Sequence, residues 1–174
     1  MSRYGPPEPL AGHHQLASFR CRSVEQTSWL QDLSRQSHRS GTTRVLVVSE
    51  LEHDAVVAYY AWCMASVAIH ALPERMRRGA GRYPQPIALL ARLGVDEGHE
   101  GRGLGAALLL DAITRVAGLS EAIGCRGLLV HAESQAARSF YEHLIPEFQP
   151  SPTDPLHLVL LLKDIHRTLN ALND

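Results

Sequence analysis

Three glycines within five residues, Gly101-Arg-Gly-Leu-Gly105, stand between an apolar run, Ile87–Val95, and a periodic apolar segment that follows. Glycine admits the left-handed backbone that lets successive N–H groups converge, and a helix start carries unpaired donors and the positive end of the macrodipole. Strand, glycine turn and helix in this order suit a phosphate. A nucleoside-triphosphate loop needs Lys-Ser or Lys-Thr after its last glycine, and Ala106-Ala107 stands there instead. Gly101, Gly103 and Ala106 also spell a dinucleotide turn, with Glu121 as its acidic partner. Glu121, however, lies in the segment before the next strand, and 69 residues are too few for the rest of such a fold. A second candidate is Tyr141 in Phe140-Tyr141, whose phenol, with an ordinary pKa of ~10, is either a packing group or a proton donor. Ten histidines are scattered without HExxH-type spacing, so no metal is expected.

The elements that must position these residues are legible around them. Ile87–Val95 is apolar enough for a buried central strand. Gly103–Ala117 sets Leu104, Leu108, Ala112 and Val116 on one face, with Asp111 and Arg115 on the other, which predicts an amphipathic helix over a sheet. Gly127–His131 reads as a strand, Ser134–His143 as a helix, and Leu156–Lys163 as a last strand before a short terminal helix.

Upstream, residues 1–15 form a Pro- and Gly-rich arm leading to a short strand at Leu16–Cys21. Ser23–Arg39 has a helical rhythm, capped by Ser23, striped by Val24, Trp29, Leu30 and Leu33, and stopped by Gly41. Arg44–Ser49 and Ala55–His70 make an antiparallel hairpin across a turn at Glu50–Asp54. Residues 71–86 form an Arg- and Pro-rich insertion with one helical turn at Pro73–Arg78.

The 174 residues, 45% hydrophobic and 20% charged, predict a single α/β domain over residues 1–174. Cys21, Cys63 and Cys125, odd in number and widely spaced, suit reduced thiols and a cytoplasmic address. No apolar run approaches the ~18 residues of a membrane span. Residues 71–92 hold five arginines against one acid, a net +4, and residues 1–44 six against three, a net +3. Such segments are either a solvated face or a surface for a polyanion.

Two stretches together carry a resemblance. Glu100-Gly-Arg-Gly-Leu-Gly105 opening a helix, followed after a strand by Ala137-Arg-Ser-Phe-Tyr141, resembles the GNAT N-acetyltransferases. Pro7-Glu-Pro-Leu10, Trp29-Leu30, Val57-Ala-Tyr-Tyr60, Leu90–Asp96 and Pro150–Leu156 are similar to their toxin branch in bacterial toxin–antitoxin pairs. The resemblance implies a central mixed, mostly antiparallel sheet flanked by helices, with acetyl-coenzyme A as cosubstrate. It implies that Leu93, Gly94 and Val95 line the acetyl and pantetheine arm, and that Gly101, Arg102, Gly103, Leu104, Gly105 and Ala106 hold the diphosphate. Tyr141 becomes the proton donor to the leaving sulfur.

The same resemblance implies acetylation of the α-amino group of aminoacyl-tRNA and arrest of translation. Its implied partners are a small ribbon-helix-helix antitoxin and a second copy of the chain. Arg35, Arg39, Arg75, Arg77, Arg78 and Arg92, with Arg20 and Arg22, are the expected tRNA contacts. Glu133, His131 and Glu100 are candidate bases, although an α-amino group of pKa ~8 needs none. The chain departs from the family pattern at three places: Glu100 replaces Gln or Arg, Ser134 replaces Asn, and Ile145-Pro-Glu-Phe148 replaces Gly-Phe. Rival expectations are a GNAT enzyme acting on a protein or small-molecule amine, and a catalytically silent acetyl-coenzyme A-binding protein.

Overall fold

The computed structural model describes residues 3–174. Seven strands form one sheet in the order β1-β2-β3-β4-β5-β7-β6. They are β1 (Glu8–Pro9), β2 (Arg44–Ser49), β3 (Val56–Val67), β4 (Gln85–Val95), β5 (Gly127–His131), β6 (Gln149–Ser151) and β7 (Asp154–Leu161). β4 and β5 run parallel, whereas β1–β2, β2–β3, β5–β7 and β6–β7 are antiparallel, so the sheet is mixed and mostly antiparallel as expected. The helices are α1 (Val24–Asp32), α2 (Ser34–Ser40), α3 (Glu74–Arg77), α4 (Leu104–Ala122), α5 (Gln135–Leu144) and α6 (Leu162–Asn173).

The chain divides into two compact units. The first runs to Cys63 and takes in Ala91–Asp111; the second holds Met64–Leu90 and Ala112–Asp174. In the first, Leu10, Leu16, Phe19, Leu30, Val45, Val47, Val56, Tyr59 and Ala61 share a core. Five consecutive residues of β2 are buried, as are the first six of β3, so both strands are covered on both faces. In the second, Leu72, Met76, Ile87, Leu129 and Val159 form the core. Burial of each such side chain is worth about 1.5–3 kcal/mol.

Several local expectations are corrected. Leu16–Cys21 is not a strand, because its backbone groups find other partners. Phe19 N–H donates to Leu16 O, Arg20 N–H to Asp96 Oδ2 (2.8 Å) and Cys21 N–H to Thr27 Oγ1 (3.0 Å). The arm supplies the strand instead, with Glu8 and Pro9 paired to Val47 and Leu46 at the sheet edge, where proline's missing N–H is tolerated.

The helix expected over Ser23–Arg39 breaks at Leu33. Ser23 does cap it, its Oγ accepting the Gln26 N–H, and Gly41 ends α2 in the left-handed region. Leu30 is buried as expected, but Val24 and Leu33 are exposed, and Gln26 and Thr27 are buried in their place. Burial of polar Thr27 is possible because the segment before the helix supplies partners: its Oγ1 accepts the Cys21 N–H and lies 3.4 Å from Cys21 O. β4 starts earlier than expected, at Gln85, with Pro86 O accepting the Arg126 N–H. β6 is an unexpected strand, and α6 is 12 residues long rather than short.

One glycine is demanded by packing. Gly127 has φ +152°, and a Cβ there would lie 2.1 Å from Leu160 O on β7. Gly127→Ala is expected to cost about 3 kcal/mol or more. Thermal unfolding checks this, and a midpoint within a degree of the parent would refute it.

Candidate active site

β4 ends at Val95 and the chain turns on Asp96. Its Oδ1 accepts the Gly98 N–H and its Oδ2 the Arg20 N–H, both at 2.8 Å, while its own N–H donates to Val57 O. Through its carboxylate and its own N–H, Asp96 thereby ties the strand exit to two other segments of the same unit. Just before it, Gly94 is buried, and a Cβ there would meet Gln26 Oε1 at 3.2 Å, Tyr59 Cε1 at 3.3 Å and Cys21 Sγ at 3.4 Å. Tyr59 is itself fixed by donating its O–H to Gln26 O (2.8 Å). Close packing therefore explains glycine at this place in Leu93-Gly94-Val95.

A 3₁₀ turn, Glu97–His99, leads into the glycine turn. Gly101 (φ +74°) and Gly103 (φ +78°) adopt the left-handed conformation that side chains disfavour. The Ala107 N–H donates to Gly103 O, so the N–H groups of Leu104, Gly105 and Ala106 fall outside the helix's own ladder. These donors, at the positive end of the 19-residue α4, fit an anionic diphosphate on geometry as well as on spelling.

Glu100, the departure that opposes an anion here, is neutralised. Arg22 grips its carboxylate through both oxygens, Nε at 2.9 Å and Nη2 at 2.8 Å, and the guanidinium pKa is raised by this contact. Arg22, expected on the tRNA surface, thus serves the turn. Glu50, Tyr4 and His99 also gather at the turn and were not anticipated. They lie up to 98 residues from their partners in sequence, and no local pattern marks them.

Tyr141 belongs to the second unit, on α5, whose cap Ser134 Oγ accepts the Ala137 N–H. Serine replaces the family's asparagine with an equally good cap. The tyrosine is 4% exposed, with ring contacts to Phe140 (5.2 Å) and Phe148 (5.9 Å). Phe148, from the departing segment Ile145–Phe148, therefore supplies part of its wall. Burial, and secondarily the charge of Glu133, push the phenol pKa well up, so Tyr141 keeps its proton. His131, at the end of β5, stacks on His157 (centroids 3.8 Å, 12°), and Asp154 stands 3.3 Å from His157.

The arginines divide by partner. Arg75 holds Asp164, 1% exposed, through two contacts of 2.9 and 3.4 Å. Arg35 donates to the carbonyls of Ala11 and His14. Arg92 pairs with Glu25 (2.6 Å) and lies over the Trp29 ring. Arg77 Nε donates to Leu72 O (3.1 Å) and Arg78 stands 3.9 Å from exposed Glu74, and both, like Arg39, are exposed.

Among the described residues one group, Glu8, His13 and His14, brings three ligand-type side chains together. The Ala11 N–H donates to His14 Nδ1, which puts the neutral ring's proton on Nε2, facing Glu8 Oε1 at 2.7 Å. That lone pair is then not offered to a cation.

Residues 14–144 match the acetyltransferase (GNAT) family. A Mycobacterium tuberculosis protein named tRNA-acetylating toxin is 40% identical over 164 residues, 94% of this chain and 96% of its own. This chain belongs to the GNAT family. Two solved structures extend the likeness. AtaT complexed with acetyl-methionyl-tRNAfMet superposes with a TM-score of 0.87 at 25% identity, covering 95% of this chain and 99% of the other. AtaTR bound with AcCoA gives 0.81 at 25%, covering 97% and 99%.

The histidine pair makes a pH prediction for this GNAT chain. Burial first, then His157, lowers the His131 pKa, with Asp154 opposing. A depressed folded value means the unfolded chain takes the proton first. Stability is therefore full above about pH 6.5 and falls as pH drops through the folded pKa. Urea unfolding at pH 7 and pH 5 should show a loss that His131→Gln reduces; an equal loss in both proteins would exclude His131 as its source.

Proposed function

We propose that this GNAT chain transfers the acetyl group of acetyl-coenzyme A to the α-amino group of an aminoacyl-tRNA and so blocks translation. The end-to-end likeness to the M. tuberculosis tRNA-acetylating toxin carries the substrate assignment. AtaT, solved with acetyl-methionyl-tRNAfMet, supports it.

Bound acetyl-coenzyme A supplies an activated thioester. Around it, the N–H groups of Leu104, Gly105 and Ala106, with Arg102 and the left-handed Gly101 and Gly103, bind the diphosphate. Backbone groups of Leu93, Gly94 and Val95 orient the acetyl arm. Tyr141 passes its phenol proton to the sulfur as the N–C bond forms and the C–S bond breaks; the amine nitrogen releases one proton to water, and water restores the proton of Tyr141. An α-amino group of pKa ~8 is partly neutral near pH 7, so no side chain need act as base.

Arg39, Arg77 and Arg78 are the exposed candidates for phosphates, Arg77 held among the described residues only by the Leu72 carbonyl and Arg78 only by a 3.9 Å contact with exposed Glu74, whereas Arg75, Arg35 and Arg92 serve a buried carboxylate, two carbonyls, and an acid with an aromatic ring. This reading also assigns a small ribbon-helix-helix antitoxin, a homodimer and a cytoplasmic site of action. Among the described residues, no helix is long and apolar enough to cross a membrane.

Labelled acetyl-coenzyme A incubated with total charged tRNA should place label on the aminoacyl group; label only on protein or free amines would refute the substrate assignment. Tyr141→Phe should lower turnover by about 10²-fold or more with acetyl-coenzyme A affinity nearly unchanged, and unaltered turnover removes Tyr141 from the chemistry. Replacing Arg77 and Arg78 together by alanine should weaken tRNA use and reduce its logarithmic salt slope by about 1.5 to 2. An unchanged slope marks them as merely solvated.

A further inference from the structure

A directed chain of hydrogen bonds ends on the arginine of the glycine turn. His99 Nε2 faces Glu50 Oε1 at 3.0 Å. A carboxylate only accepts, so the proton of the neutral ring lies on Nε2 and Nδ1 is left as acceptor. The Tyr4 O–H donates to that Nδ1 at 2.7 Å. Tyr4 oxygen in turn accepts from Arg102 Nη1 at 2.9 Å, because a guanidinium can only donate. Each link fixes the direction of the next.

Charge around the chain is arranged to the same end. Glu50, its terminal acid, also receives Arg3 Nη2 at 3.2 Å, and Glu100 is held by both arms of Arg22. The two carboxylates that flank the turn are thereby each matched by an arginine. Arg102 meets a neutral phenol oxygen instead, and among the described residues no ion pair engages it. It keeps a full positive charge with its direction restrained. Tyr4 is well placed to impose that restraint. Its segment is pinned by a bridge to Glu50, by Gly5 N–H donating to Ser49 O (3.0 Å) and by Leu51 N–H donating to Arg3 O (3.1 Å), and its ring meets His99 edge-on.

We propose that Tyr4, oriented by His99 and Glu50, is a positioning residue that aims Arg102 at the diphosphate of coenzyme A. The inference rests on the acetyltransferase reading for its ligand but not on the identity of the acetyl acceptor. A preset arginine loses less side-chain freedom on binding, so the contribution is to affinity and not to the chemical step.

Titration calorimetry with coenzyme A, on the full chain and three variants, tests this. Tyr4→Phe keeps the ring and removes only the oxygen; its Kd is expected to rise about five- to tenfold. Arg102→Met should weaken binding at least as much. The double variant should be no weaker than Arg102→Met alone, because the tyrosine acts through the arginine. In turnover, Tyr4→Phe should raise the KM for acetyl-coenzyme A with kcat within twofold.

Unchanged or tighter binding by Tyr4→Phe overturns the proposal, the second outcome meaning that Tyr4 holds Arg102 away from the ligand. Penalties that multiply in the double variant also overturn it, since they would mark an independent or merely structural effect. Should Tyr4→Phe lose its cooperative thermal transition, His99→Gln is titrated in its place with the same expected rise in Kd. A parent protein that binds coenzyme A yet acetylates no aminoacyl-tRNA refutes only the substrate reading; one that does not bind coenzyme A overturns both.

Discussion

The glycine turn depends on leaving backbone donors at the start of α4 without a partner from the protein itself. Three carboxylates bear on the turn, Asp96 before it, Glu100 at its first position and Glu50 against His99. Each is given other work. Asp96 accepts the N–H groups of Gly98 and Arg20, Glu100 takes the fork of Arg22, and Glu50 takes Arg3 and His99. Arg22–Glu100 is a surface pair and contributes little to stability. Its effect is on the local potential: an acid at the first turn position ceases to repel an anion.

Burial does a comparable job for Tyr141. A phenol in water gives up its proton near pH 10, and the surroundings of α5 push that point well upward. Phe148 helps to make those surroundings apolar, so a segment that departs from the family's usual letters supplies the aromatic wall. Desolvation of an acid and pairing of an arginine are opposite devices. The first tightens a phenol's hold on its proton, and the second cancels the charge of a neighbouring acid.

The arginines show how one residue type divides between fold and surface. Arg75, together with Arg167 at 3.4 Å, compensates the buried carboxylate of Asp164. Arg35 fills carbonyl acceptors in the arm, and Arg92 lies over the Trp29 ring. A net positive charge along the chain is therefore a poor measure of free positive charge on the surface. Only the partner of each guanidinium separates the two.

The glycine turn, the strand before it, the helix after it and the capped helix of Tyr141 were all legible in the sequence. Their signals are local: left-handed backbone needs glycine, helix burial repeats every three or four residues, and Ser134 caps within its own turn. Tertiary structure alone decided what became of the side chains around the turn. Arg22 meets Glu100 across 78 residues, Tyr4 meets Arg102 across 98, and Arg75 meets Asp164 across 89. A charged side chain takes the counter-charge that packing brings nearest, and no periodicity encodes that choice. The strand at Glu8–Pro9 was hidden for the same reason, since an edge strand of two residues exists only because β2 offers it hydrogen bonds.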